Sequence, residues 1–280
     1  MKRLAVLLLP LALIFSLSSC FMIPSVPTRS FSVLTVPEGG IHTGTLVVVN
    51  ASTPYVAPSD QSNLIALWDN ETPVNMYFDI QQTSMDRDAL AAMAAMVLDF
   101  QKETDLKNVA IQSAYVTPEE QGDKPADHLT GLGCVLKFVT EEPMEGEHEF
   151  ETPMMVKYHD LSENEASSWL YENCHKYGFV VRYPADKAAV TGVSDYTDYF
   201  RYVGIPHAAY MTENNLCLEE YVELVKGYSY SAPLEITAGG VSYQVFYADI
   251  SQSANVYYPS GYACVWSGVG KDGVLLTLTP

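Results

Sequence analysis

"DYTDYFRYVG", residues Asp195 to Gly204, packs two Asp and three Tyr around Phe200 and Arg201 and then stops at a glycine. Neither a plain strand nor a plain loop has this composition, so the segments on either side must decide what it belongs to. Upstream, "SENEASSWLYENCHKYGF" opens with Ser162 and, three residues on, Glu165, the spacing of a capping box. It predicts a helix through Trp169, Leu170 and Asn173 that ends at Gly178, a natural C-cap, followed by a strand at "VVRYP". Downstream, "CLEEYVELVKG" reads as a short helix stopped by Gly227.

Further out, "MDRDALAAMAAMVLDFQKET" sets Leu90, Met93, Val97 and Phe100 at helical spacing, with Asp86 and Asp88 at its start, and predicts an amphipathic helix. "GTLVVVN" (44–50), "NVAIQSAY" and "GLGCVLKFVT" are β-branched or apolar runs expected as strands. The polar, proline-containing "VTPEEQGDKPADHLT" between the last two is expected as a loop, and it places His128 at the entrance of a strand. From Ser229 onward, β-formers cluster around Gly-Gly and Asp-Gly turns. The class is therefore α+β, with a small all-β extension over 229–280.

The 280 residues, 48% hydrophobic and 18% charged, suffice for one sizeable core with a small appended module. A formal charge of −19 repels phosphate backbones and excludes nucleic acid as a partner class. The opening "MKRLAVLLLPLALIFSLSSC" has a basic start, an apolar run too short to span a bilayer comfortably, and a small-residue exit. Its last four residues resemble a bacterial lipobox. The expectation is a signal peptide over 1–19 and lipidation of Cys20, with residues 20–43, rich in Pro and Gly, as the tether. That address is the extracytoplasmic face of a bacterial membrane. Cys134, Cys174, Cys217 and Cys264 remain, and both disulfides and buried free thiols are compatible with their spacing.

Taken together, "WLYENCHKYGFVVRYP", "TGVSDYTDYFRYVGIPHA" followed by "LCLEEYVE", and the earlier "SAYVTPEEQ" and "DHLTGLG" resemble the zinc D-alanyl-D-alanine carboxypeptidases of VanY type, over roughly residues 45–228. The resemblance implies that family's core fold, an antiparallel sheet with flanking helices, as a domain over 44–228, and a cleft for peptidoglycan stem peptides. It also implies a zinc held by a His, an Asp seven residues on and a second His, with a Glu as general base and an Arg gripping the substrate carboxylate. Of these positions only His128 keeps its residue. The other two ligands are Val135 and Tyr199, the base is Tyr196, and Val116 stands for the Arg, whereas Gln121 matches.

The resemblance thus implies a degenerate member, without metal or catalytic residue, whose binding cleft is made by Tyr115, Gln121, His128, Tyr196, Tyr199 and Arg201. Cell-wall peptides or a wall protein are the expected partners. The alternative is an active carboxypeptidase with zinc in a rearranged site. Asp127, Asp195 and Asp198 each precede a site position by one residue, and in extended backbone such a shift turns a side chain to the opposite face. Ser113 and Thr130 are the hydroxyls expected near the cleft. His175 and His207 match family positions that are not ligands, while His42, His148 and His159 are expected in solvent.

Overall fold

The chain's architecture comes from a computed structural model that describes residues 30–67, 77–78, 84–143 and 154–280. The expected signal peptide, the first ten residues of the expected tether (20–29, with Cys20) and His148 lie outside the described residues. In order, the strands and helices are β1 (Phe31–Thr35), β2 (Leu64–Ala66), β3 (Tyr77–Phe78), β4 (Ser84–Asp86), α1 (Arg87–Thr104), β5 (Val109–Ser113), β6 (Gly133–Pro143), β7 (Met154–His159) and α2 (Ser167–Asn173). There follow β8 (Phe179–Val181), α3 (Ala188–Thr191), β9 (Tyr199–Tyr202), α4 (Ile205–Glu213), α5 (Leu218–Val225), β10 (Leu234–Ala238), β11 (Val241–Asp249), β12 (Asn255–Pro259), β13 (Ala263–Gly268) and β14 (Gly273–Thr279).

Helix α1 starts where Asp86 accepts hydrogen bonds from the amides of Asp88 and Ala89, relieving two otherwise unpaired donors. Its expected stripe of Leu90, Met93, Val97 and Phe100 is buried, each side chain contributing about 2 kcal/mol. That stripe packs on a sheet of order β3-β5-β6-β9-β8, with β7 on the remaining edge of β6. Apart from the short parallel pair β3-β5, this sheet is antiparallel.

The second sheet, β10-β11-β14-β13, is the expected all-β region, but it does not stand alone. One face, with Leu234, Ile236, Val245 and Leu275, shares a core with Ala208 and Met211 of α4 and Tyr221 and Val225 of α5. The other face, with Phe246, Leu276 and Leu278, is covered by the two-stranded ribbon β1-β12 through Leu34 and Val256.

Three local expectations are corrected. The tether does not run to residue 43, because Phe31–Thr35 pairs residue for residue with Asn255–Pro259. "GTLVVVN" is not a strand: the amide of Leu46 donates to Ser267 Oγ, and the carbonyls of Thr45 and Val47 accept from Arg201, so side chains rather than a neighbouring strand satisfy this buried backbone. The capping box falls on Asp160 and Glu163, around a short 3-10 turn, and α2 begins only at Ser167. The rest of the expected helix tightens to a 3-10 turn at Cys174–Tyr177 before Gly178, whose φ of 84° ends it.

Candidate functional site

A 3-10 turn, Ala126–Thr130, carries Asp127 and His128 side by side and sends them to different surroundings. His128 is fully buried. Its Nδ1 is 3.1 Å from the carbonyl oxygen of Pro125, which can only accept, so Nδ1 holds the hydrogen and Nε2 accepts from Ser113 Oγ at 3.4 Å. Burial, partly offset by that carbonyl, lowers its pKa to about 4, and the ring is neutral at pH 7.

Around the imidazole stand aromatic rings. Tyr199 lies 4.6 Å away and Tyr196 5.7 Å, centroid to centroid, and Tyr183 packs on both tyrosines. Val135 on β6 and Tyr199 on β9 are direct partners in the sheet, so their side chains share one face. Gly133 makes room for this ring, since a Cβ there would stand 2.5 Å from Tyr199 Cε1. The Tyr199 hydroxyl is buried without a hydrogen-bond partner, and burial pushes its pKa well above the usual phenol range.

This donor set does not fit zinc. Val135 has no donor atom, Tyr199 is a neutral phenol rather than a phenolate, and His128 is left as a single ligand where three are needed. Among the described residues no group of three or more His, Cys, Asp or Glu could hold a metal ion.

The neighbouring carboxylates are engaged elsewhere. Asp127 is fully buried between two buried guanidinium groups, Arg182 with Nε at 3.1 Å and Arg201 through Nη1. Desolvation would raise its pKa, but the attraction of Arg201 and Arg182 outweighs it and holds the carboxyl below its usual range. Arg182 continues to Glu219, with Nη1 and Nη2 at 2.8 and 2.6 Å from its two oxygens. Asp198 is taken by Tyr171 Oη at 2.7 Å, Lys137 Nζ at 2.9 Å and the amide of Leu161 at 3.2 Å. Asp195 is exposed and accepts from Ser194.

A cleft of about 610 Å³ opens over this cluster, with Tyr115, Val116, Lys124, Val135, Lys137 and Tyr196 in its walls. Four expected cleft residues, His128, Tyr199, Arg201 and Gln121, fall outside its walls, the first two because both are fully buried. Arg201 is wholly buried by its bonds to Asp127, Thr45 and Val47. The Gln121 amide donates to the carbonyl of Lys124 at 3.2 Å and stays out of the wall. Ser113 does line the cleft, whereas the Thr130 hydroxyl donates to the carbonyl of Asp127 within its own turn.

Among the other histidines, His207 is buried between Tyr221 Oη at 2.7 Å and Thr277 Oγ1 at 3.1 Å, and His159 contacts Thr140 and Glu163. His42 borders a second cavity of about 330 Å³, and His175 Nδ1 has no partner. The Arg201–Asp127–Arg182–Glu219 chain escaped the sequence reading. Its only local signal is an Asp preceding a site histidine.

Residues 137–205, from β6 to the first residue of α4, match the sequence profile of the family described as "VanY: D-alanyl-D-alanine carboxypeptidase". A D-alanyl-D-alanine carboxypeptidase of Enterococcus faecium is 28% identical over 247 residues, 88% of this chain and 78% of the relative. One of Enterococcus faecalis is 48% identical over 63 residues, 22% of this chain and 24% of its own length. The solved vancomycin-resistance D,D-dipeptidase VanXYg, bound to a D-Ala-D-Ala phosphinate analog, superposes with a TM-score of 0.68 at 22% identity, covering 90% of this chain and all of that one. That superposition shows a common fold extending into the C-terminal strands. Residues 137–205 thus carry the family-model domain of VanY-type D-alanyl-D-alanine carboxypeptidases, and the chain is similar to such a carboxypeptidase along most of its length.

Proposed function

We propose that this chain is a non-catalytic member of the family, a lipid-anchored extracytoplasmic protein that uses the old peptidase cleft to hold a cell-wall peptide or a partner protein. The observation that carries the reading is the Val135–Tyr199 pair, which puts a hydrocarbon and a neutral phenol where two metal donors would be needed beside His128. Tyr196, at the position of the general base, carries a phenol in place of the carboxylate that would accept the proton. Without a polarising metal or a base, nothing generates hydroxide at neutral pH.

What the cleft offers instead suits recognition. Tyr115 and Tyr196 present flat apolar faces tipped with hydroxyls, and Lys124 and Lys137 stand among Glu120, Asp160, Asp195 and Asp198. Such a wall favours a polar, zwitterionic peptide over an apolar ligand. The anchor rests on the sequence from Met1 to Cys20, and with it come the membrane as a partner and the extracytoplasmic address.

The test is a paired measurement on the purified protein: D-alanine release from a stem pentapeptide with added zinc, and calorimetric binding of the same peptide. Binding without release, weakened about tenfold by Tyr196→Ala, supports the proposal. Zinc-dependent release that disappears in His128→Ala would overturn it in favour of an active carboxypeptidase with a rearranged metal site.

A further inference from the structure

The ribbon β1-β12 has two unlike faces. Leu34 and Val256 point inward onto the second sheet. On the outside, Phe31, Val33 and Thr35 pair with Pro259, Tyr257 and Asn255. Phe31, Val33 and Tyr257 are 44%, 52% and 61% exposed, and Tyr230 adds a ring edge-on to Phe31 at 5.7 Å.

This face carries no charge. From Ile250 to Gly270 the sequence contains no Asp, Glu, Lys or Arg, and from Cys20 to Pro37 it contains Arg29 and no carboxylate. In a chain with 34 acidic residues, that leaves an outer surface of aromatic, aliphatic and neutral polar groups. It also lies next to Ser30, which immediately precedes β1 and whose carbonyl accepts from the amide of Ser260.

Ten residues separate Cys20 from Phe31. Ten residues of chain cannot reach farther than about 35 Å. A folded body of some 250 residues, with a radius of gyration of about 18 Å, is wider than that. If Cys20 is held in a bilayer, the tether keeps the ribbon nearer the lipid than most of the rest of the protein. An anionic leaflet repels the acidic remainder and leaves the neutral face as the side of approach.

We infer that the outer face of the β1-β12 ribbon docks on the membrane surface, with Phe31, Val33 and Tyr257 seated at the headgroup level and the body of the protein held in one orientation above it. The inference rests on the lipid anchor proposed above, and adds to it a second, non-covalent contact. Tyrosine suits this place because its ring can enter the apolar boundary while its hydroxyl stays hydrated. The tether makes docking intramolecular, so weak contacts suffice to populate the docked state.

The experiment uses the full lipidated chain in phosphatidylglycerol/phosphatidylcholine vesicles, with and without brominated acyl chains, and reads a tryptophan introduced by Tyr257→Trp above the background of the unsubstituted protein. The acyl mass on the Cys20 peptide is measured on the same sample. The expected result is at least twofold quenching of the added tryptophan by brominated lipid, absent for Tyr243→Trp on the helix-facing side of the second sheet. Adding Val33→Ser should lower the docked-to-free ratio about tenfold, equivalent to ~1.4 kcal/mol. An acylated Cys20 with an unquenched tryptophan at 257 overturns the docking and leaves the anchor standing. A Cys20 without acyl mass overturns both.

Discussion

The imidazole of His128 lies 4.6 Å from the ring of Tyr199, centroid to centroid, and the two groups meet as packing partners, a turn residue against a strand residue, rather than as donors to a shared ion. Their contact determines both the chemistry of the cleft and its response to acid.

Burial holds the folded-state pKa of His128 at about 4, and that of fully buried His207 at about 4 as well, against an unfolded value near 6.5. Between those values the unfolded chain binds more protons than the folded one, so stability rises with pH through the window. It is complete above about pH 6.5 and falls away towards pH 4. Imidazole proton resonances followed by NMR should show both rings uncharged at pH 6, and urea unfolding should give a midpoint that drops from pH 6.5 to 4.5. A His128 titration near 6.5 in the folded protein would contradict this account.

Restoring donors should restore the metal. Structural zinc sites reach apparent binding free energies of about 10–16 kcal/mol over four ligands. On that scale, Val135→Asp with Tyr199→His should raise zinc affinity by about four orders of magnitude. Competition against a chelator would measure the gain, and the parent protein should purify with far less than one zinc per chain. The cavity left by the larger tyrosine ring gives the new imidazole room beside Gly133.

Asp127 offers a test of stability rather than of activity. Its carboxylate sits between buried Arg182 and Arg201, and removing the charge strands both cations in the interior. Asp127→Asn should cost about 3–5 kcal/mol, read as a lowered midpoint in denaturant. Because the folded pKa is depressed, this contribution is present above the ordinary carboxylate range and is lost as pH falls below about 4.

The four described cysteines are free thiols, which resolves the alternative that spacing left open. Cys134, Cys174 and Cys217 are buried, and burial raises the pKa of Cys174 to about 12 and that of Cys217 to about 11. A thiol reagent at pH 8 should modify half-exposed Cys264 first, and the other three only after denaturation.

The sequence disclosed most where one periodicity governed a segment. The α1 stripe, the strands β5 and β6, and the stop at Gly178 follow from local spacing, whereas Val135 and Tyr199 were brought together only by the resemblance, which puts both at ligand positions. It failed where a backbone finds its partners through distant side chains. Nothing near residues 44–50 announces that Arg201 will take their carbonyls, and so a β-branched run was mistaken for a strand. For the same reason Arg201 looked like a cleft residue: an arginine beside tyrosines in a former site carries no local sign of the buried aspartate that claims it. Strand β1 was missed because its partner β12 lies more than 200 residues away, beyond the reach of any pattern in "FSVLT".

That pairing also governs the order in which the molecule can be completed. Ser32 and Ser260 are hydrogen-bonded across 228 positions of sequence, so one of the first ordered segments to be synthesised must wait for one of the last. Pairings of such long range form late and slowly. Phe246, Leu276 and Leu278 of the second sheet therefore stay uncovered until β1 and β12 have paired. Loss of β1 by cleavage within residues 31–35 would strip the cover from Phe246, Leu276 and Leu278, whereas truncation before Asn255 would take away β12 together with β13 and β14 and so remove half of that layer itself.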